Sequence, residues 1–248
     1  MNALSAEIHI LDDDGSLDRF TVNMITSIAR EAVAERGVFH LVLSGGGTPS
    51  PVYDLMSQPD YQERFPWSQT HVYWGDERNV PAEDPGSNYG QAHKLLLDKV
   101  PVQQLHIHRI KGELPPMEAA ADYRWQLQEL GMGERLWPIF DLVLLGMGDD
   151  GHTASLFPGM SNALEDTSAV ISVQAEYEER PANRVTLTPL VLNDARIIIF
   201  LVKGGRKANT VASVLKTPED KKRWPVQRIK PVAGRVLWLL DIAAAGRL

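Results

Sequence analysis

Residues 140–159 read FDLVLLGMGDDGHTASLFPG, and the reading of this stretch decides the fold and the site. The apolar run 140–145 is too short for a helix and ends in a glycine turn, so it reads as a buried strand. Gly146, Gly148 and Gly151 then satisfy G-x-G-x-x-G, the spacing of a dinucleotide-binding turn. Two features argue against a dinucleotide. Such a site needs a long helix after the third glycine, with its N-terminus on the pyrophosphate. Here Pro158-Gly159 arrives within eight residues of Gly151, and such a pair ends a helix. Asp149 and Asp150 would also occupy the place of the pyrophosphate, where like charges repel unless a metal intervenes. The stretch is instead read as a strand, then a glycine-shaped loop that carries His152. An imidazole titrates near neutral pH and can take a proton from water, and loops after buried strands are where catalytic groups collect. Asp150, two residues away, can orient the ring or raise its basicity, depending on the backbone geometry between them. The other histidines (His9, His40, His71, His93, His106, His108) form no H-x-x-x-H pair with His152, which weakens a metal reading.

The same grammar repeats outward along the chain. Strands are expected at Glu7–Leu11, 38–43, 71–74, 105–110, 140–145, 169–173, 184–187, Ile197–Val202 and 236–240. Between them fall helices: one capped by Ser16 and running to Arg36 with Gly37 as its stop, one opened by Thr48-Pro49, then 87–97, 117–130 ending at Gly131, and 205–216. Strands alternating with helices imply an α/β fold with a mostly parallel sheet covered on both faces, here as a single domain over 1–248. Ligands in such sheets bind at the carboxyl ends of the strands. The segments found there are SGGGTPS, GDERNVP, GMGDDGHTAS and KGGRK, all polar and three of them glycine-rich, so they can converge on one cleft.

Composition bounds the function. With 32 acidic against 25 basic residues the formal net charge is −7, which argues against a general nucleic-acid surface but leaves room for a local basic pocket. The absence of cysteine excludes disulfides, thiolate zinc sites and cysteine nucleophiles. MNALSAEIHILDDDG lacks a basic then apolar leader, and no apolar run approaches the roughly 20 residues that span a bilayer. A cytoplasmic protein, monomer or homodimer, acting on a small molecule without nucleic acid or membrane is expected.

Each polar loop has a chemistry to offer. Ser44, Gly45, Gly46 and Gly47 join a strand to a helix start, where backbone N–H groups can approach an anion. The P-loop lysine is missing, so nucleotide triphosphate hydrolysis fits poorly. A phosphate or sugar-phosphate cradle is favoured over a bare tight turn, since three consecutive glycines carry an entropic cost on folding. Gly75-Asp76-Glu77-Arg78 is either solvated loop or cleft wall, with Arg78 on phosphate and Asp76 on a hydroxyl. Lys203 and Lys207 follow a strong strand, and a cation near a helix start opposes the helix dipole, which makes sense if an anion sits between them. Arg184 is either a strand-edge ion-pair partner or a second anion ligand.

At these residues the chain resembles the glucosamine-6-phosphate isomerase/6-phosphogluconolactonase family. The matching segments are LSGGGTPSPVYDLM (43–56), WGDERNVP (74–81), SNYG (87–90), DLVLLGMGDDGHTASLFPG (141–159), RVTLTPLVLNDA (184–195) and the lysine of KGGRKA (203–208). DGHTASLFPG points to the lactonase branch. Deaminase relatives carry an acidic residue five positions after the motif histidine, used in ring opening, and Phe157 stands there in this chain. The resemblance implies a three-layer α/β/α Rossmann-like domain, no metal or organic cofactor, and hydrolysis of 6-phospho-D-glucono-1,5-lactone. In that reading the 44–47 backbone, Arg78, Lys207 and Arg184 hold the phosphate. His152 is the general base, positioned by Asp150. Asp76 meets a sugar hydroxyl, and loop N–H groups after a glycine take the oxyanion. An amino-sugar phosphate deaminase and a non-catalytic sugar-phosphate sensor are the alternatives. Phe157 argues against the first. A strand-like N-terminus and acidic charge argue against the DNA-linked second.

Overall fold

The computed structural model describes residues 7–131, 133, 135–160, 167–177 and 180–248. Residues 1–6, on which the leader reading partly rests, lie outside them. Seven strands form one parallel sheet: β1 (Glu7–Leu11), β2 (Phe39–Leu43), β3 (Thr70–Trp74), β5 (Ile107–His108), β6 (Leu142–Leu145), β9 (Ile197–Val202) and β10 (Arg235–Asp241). Their order is β1-β10-β9-β6-β2-β3-β5, and the helices that join them cover the faces. These are α1 (Asp14–Arg36), α2 (Ser50–Met56), α3 (Pro59–Gln62), α4 (Asn88–Ala92), α5 (Pro116–Glu129), α6 (Pro189–Leu192) and α7 (Ala208–Lys216). A second sheet, antiparallel, is built from β4 (Asp76–Arg78), β8 (Asn183–Leu187) and β7 (Val170–Gln174), in the order β4-β8-β7.

Burial explains the large sheet. In β9, Ile198, Ile199, Phe200, Leu201 and Val202 are all buried, and each such side chain contributes on the order of 1.5–3 kcal/mol through water removed from its surface. A continuous apolar run of that kind suits a strand covered on both faces. From β2 the chain steps outward to β3 and β5, then crosses back to β6 on the other side of β2. The switch point therefore lies between β2 and β6, where loops diverge and leave a crevice. The loop after β2 opens with residues 44–47, and the loop after β6 begins the GMGDDGH stretch.

Several boundaries differ from the sequence expectation, each for a local reason. α1 is capped by Asp13, extended at φ −149° and ψ 165°, whose carboxylate accepts the Ser16 N–H at 2.8 Å. Ser16 lies inside the first turn and donates its hydroxyl to the same carboxylate. Gly37, at φ 77°, ends the helix as expected. The strand expected at 105–110 shrinks to Ile107–His108. The helix expected at 87–97 is capped by Ser87, but its last turn, His93–Leu97, widens to π geometry. The segment 205–207 is a 3₁₀ turn leading into α7. The largest correction concerns 169–173, 184–187 and GDER, which belong to the separate antiparallel sheet.

Candidate active site

The loops after β2, β3, β6 and β9 do converge. Together with Tyr177, Arg180 and Arg184 they line a cleft of about 430 Å³. Ser44, Gly45, Gly46, Gly47, Asp76, Arg78, His152, Lys203 and Lys207 all lie on its wall, and Asp150 stands behind His152.

His152 is set by the turn that precedes it. Gly148 N donates to His152 O at 2.9 Å and Gly151 N to Gly148 O at 3.0 Å, which folds 148–152 tightly. A Cβ on Gly148 would lie 2.1 Å from His152 Nδ1, so only glycine lets the ring sit there. No helix follows among residues 146–160, so the dinucleotide geometry is absent. Both glycine amides are used within the turn, which removes them as oxyanion donors. The Asp150 carboxylate accepts the His152 N–H at 3.0 Å and lies 2.6 Å from ring Nδ1. A carboxylate in that position accepts from Nδ1–H, so in the neutral tautomer it favours, Nε2 is the acceptor. Burial pulls the Asp150 carboxyl upward, but the hydrogen bonds and charge of His152 outweigh it and hold the carboxyl below the usual range.

The glycine loop after β2 is partly engaged. Ser44 N donates to the Tyr53 hydroxyl at 3.1 Å, and Gly46 N donates to Gln91 Oε1 at 3.2 Å. The expectation of a cradle using the whole 44–47 backbone therefore narrows to the other amides. A Cβ on Gly47 would meet nothing within 4 Å, so the absence of a side chain leaves open space in the cleft. Gly45 answers a different need: its missing Cβ is the room taken by the Asn88 side chain.

GDER is neither solvated nor loop. Asp76, Glu77 and Arg78 form β4, all buried, and pair with Thr186, Val185 and Arg184 of β8. Asp76 accepts the Ser155 hydroxyl at 2.7 Å and Asn88 Nδ2 at 3.3 Å. Glu77 accepts the amides of Arg78, Asn88 and Tyr89 at 2.8, 2.7 and 2.7 Å, so it anchors the segment leading into α4. Burial pushes its carboxyl up to about 7, against the pull of those three amides. Arg78 donates Nη1 to Gly86 O at 2.6 Å, while its Nε is buried without a partner.

Arg78 and Arg184 are register partners on adjacent antiparallel strands, at 9% and 2% exposure. Like charges directly opposite each other are destabilising, more so when buried. Arg184 Nε and Nη2 also lack hydrogen-bond partners. Burial lowers the Arg184 guanidinium from its ordinary value; Asp76 acts against this, while Arg78 and Arg180 add to it. Two buried guanidinium groups facing one cleft offer unpartnered donors and positive charge, chemistry that suits an anion. The expectation for Lys203 needs correction. Its ammonium is held by Asp18 of α1 at 2.5 Å, with both side chains largely buried, so it does not share an anion with Lys207. Lys207 ends the 3₁₀ turn before α7 and lines the cleft.

Four contributors carried no signal in the sequence reading. Asn88 stands in the quoted SNYG segment without a role, yet it lines the cleft and donates to Asp76 O at 2.8 Å. Ser155 binds Asp76 through the hairpin that follows His152. Tyr177 and Arg180 reach the cleft from the β7–β8 connection. Only a knowledge of the second sheet would have brought those two to the site.

The family model for glucosamine-6-phosphate isomerases/6-phosphogluconolactonase matches residues 12–238. The 6-phosphogluconolactonase of Haemophilus influenzae is 37% identical over 83% of this chain and 85% of its own length. That of Nostoc sp. is 36% identical over 97% of this chain and 98% of its own. Among solved structures, 6-phosphogluconolactonase from Trypanosoma brucei superposes with a TM-score of 0.86 at 28% identity, covering 99% of this chain and all of that one. A monomeric glucosamine-6-phosphate deaminase, 18% identical with a TM-score of 0.82, shares the fold. The chain belongs to the glucosamine-6-phosphate isomerase/6-phosphogluconolactonase family.

Proposed function

We propose that this chain hydrolyses 6-phospho-D-glucono-1,5-lactone to 6-phosphogluconate, the lactonase step of the oxidative pentose phosphate pathway. The observation that carries the reading is a histidine–carboxylate pair on the wall of a cleft that also holds two buried, facing arginines. The lactonase names of the relatives from Haemophilus influenzae and Nostoc sp. support it. Arg184, Arg78 and Lys207, with the free amides of the glycine loop, hold the phosphate. Anchoring that end fixes the ring and lowers the entropy lost on reaching the transition state. His152 Nε2 takes a proton from water as it attacks the lactone carbonyl, and Asp150 steadies the imidazolium that forms. The ring C–O bond then breaks, and His152 returns the proton to the leaving oxygen. Asp76 meets a sugar hydroxyl as well as its partners Ser155 and Asn88.

The test generates the 6-phosphate lactone in situ and follows its decay with and without the protein, beside unphosphorylated gluconolactone. Faster decay of the phosphorylated lactone alone is expected. Equal rates on both would remove the phosphate role of Arg184 and Lys207. A His152→Ala variant with near-parental turnover would remove the general base.

A further inference from the structure

The chain after His152 turns back sharply on itself. Thr153 and Leu156 pair across a single antiparallel bridge, and Leu156 N donates to Thr153 O at 2.9 Å. Ala154 makes the turn at φ 47°, a left-handed conformation that costs a non-glycine residue on the order of 1 kcal/mol. The result is that Phe157 lands on the imidazole. Their ring centroids are 4.5 Å apart at 27°, while Tyr177 meets the same imidazole edge-on at 4.6 Å and 74°. The Arg184 guanidinium lies over the Phe157 ring at 5.3 Å. Phe157 is 6% exposed. One buried ring thus touches both the base and a phosphate ligand of the mechanism above.

The charge around it makes the apolar choice informative. Asp150 on its own loop and Tyr177 from the β7–β8 connection touch the imidazole, Arg184 on β8 meets Phe157, and Asp149, Arg180 and Lys207 share the cleft wall with them. A carboxylate in place of the ring would reach both the imidazole and Arg184. It would stabilise the protonated form of the first and occupy the donors of the second.

We propose that Phe157 is a positioning residue that holds the His152 ring face and keeps a further carboxylate, beyond Asp76, away from Arg184, so that the unpartnered guanidinium donors stay available to the substrate's phosphate. The inference rests on the roles given above to His152 and Arg184. Three variants test it: Phe157→Tyr, Phe157→Leu and Phe157→Glu, each assayed for kcat, KM and the pH dependence of kcat/KM. The His152 C2–H titration is followed by NMR in parallel. The Tyr variant keeps the ring and stays close to the parent. The Leu variant loses ring orientation, so kcat falls about tenfold or more while KM moves far less and the titration stays put. The Glu variant raises KM about tenfold and moves both the acid limb and the NMR titration up by about 1 pH unit or more. Parental kinetics and titration in both the Leu and Glu variants would overturn the proposal. So would an equal loss in all three, Tyr included, which would make the ring a packing element only. If His152→Ala proves active, the general-base reading fails, yet the NMR titration still decides whether Phe157 governs the imidazole.

Discussion

The contact between Asp150 and His152 makes the first prediction at the scale of single residues. Asp150→Asn preserves size but replaces an acceptor-only group with an amide that can also donate, so the tautomer with a free Nε2 acceptor loses its support. kcat should fall about 10²-fold or more, with KM changed by less than about threefold, because the lost interaction matures in the transition state. Steady-state kinetics beside an unchanged circular dichroism spectrum would check it. The place of His152 on the cleft wall was legible in the sequence because its Gly/Asp loop follows an apolar strand, where functional groups collect. Lys203 was not, since its partner Asp18 lies 185 residues away and only the fold brings them together. The same holds for Phe157, whose place on the imidazole depends on one left-handed alanine.

Pairs of strands carry the next two predictions. Across β4 and β8, Arg78 and Arg184 face each other at a stability cost that an anion would relieve. Arg184→Met should raise the Tm of the ligand-free protein while abolishing most of the Tm gain produced by 6-phosphogluconate in the parent. Thermal unfolding with and without that ligand reads both effects, and a lowered ligand-free Tm would contradict the first. At the other edge, β2, β3 and the segment before and through β5 gather four histidines. His71 Nδ1 lies 2.9 Å from His108 Nε2, His106 stacks on His71 at 4.0 Å, and His40 Nδ1 lies 3.0 Å from the Tyr73 hydroxyl. Burial, reinforced at His40 by the Arg36 charge and among the rings by the repulsion that would arise as they protonate, pulls His40, His71 and His108 down to about 4. The folded state therefore holds these rings neutral where the unfolded chain, titrating near 6.5, begins to bind protons. Their stabilising contribution is complete above about pH 6.5 and drains away as pH falls toward about 4. Tm should drop over that window, and a His71→Leu/His108→Leu double variant should show a flatter pH dependence. β5 was foreseen but overextended, because only two residues of the alternating segment 105–110 reach ladder geometry. β4 escaped because three charged residues do not look like a strand until their partners Ser155, Asn88 and Arg184 are in place.

For the whole molecule, the alternation of strands and helices was enough to foresee the parallel sheet and its loop-built cleft. Strand order was not, because pairing between distant segments leaves no local pattern, and the small sheet interrupts the alternation. Charge is distributed against the average: the chain carries −7 overall, yet Arg78, Arg180, Arg184, Lys203, Arg206 and Lys207 line the cleft against Asp76 and Asp149. An anionic substrate is drawn to that patch over distances that salt screens. kcat/KM for the phosphorylated lactone should fall as sodium chloride is raised, with kcat much less affected; a salt-independent kcat/KM would argue that the patch acts only at contact. The cleft is also a seam. His152 and the glycine loop hang from the parallel sheet, whereas Arg78, Arg184 and Tyr177 belong to the antiparallel one and its connection. In the proposed mechanism the grip on the phosphate is therefore shared across the seam, by the glycine loop and Lys207 on one side and Arg78 and Arg184 on the other, so a shift of one sheet against the other would alter affinity and turnover together.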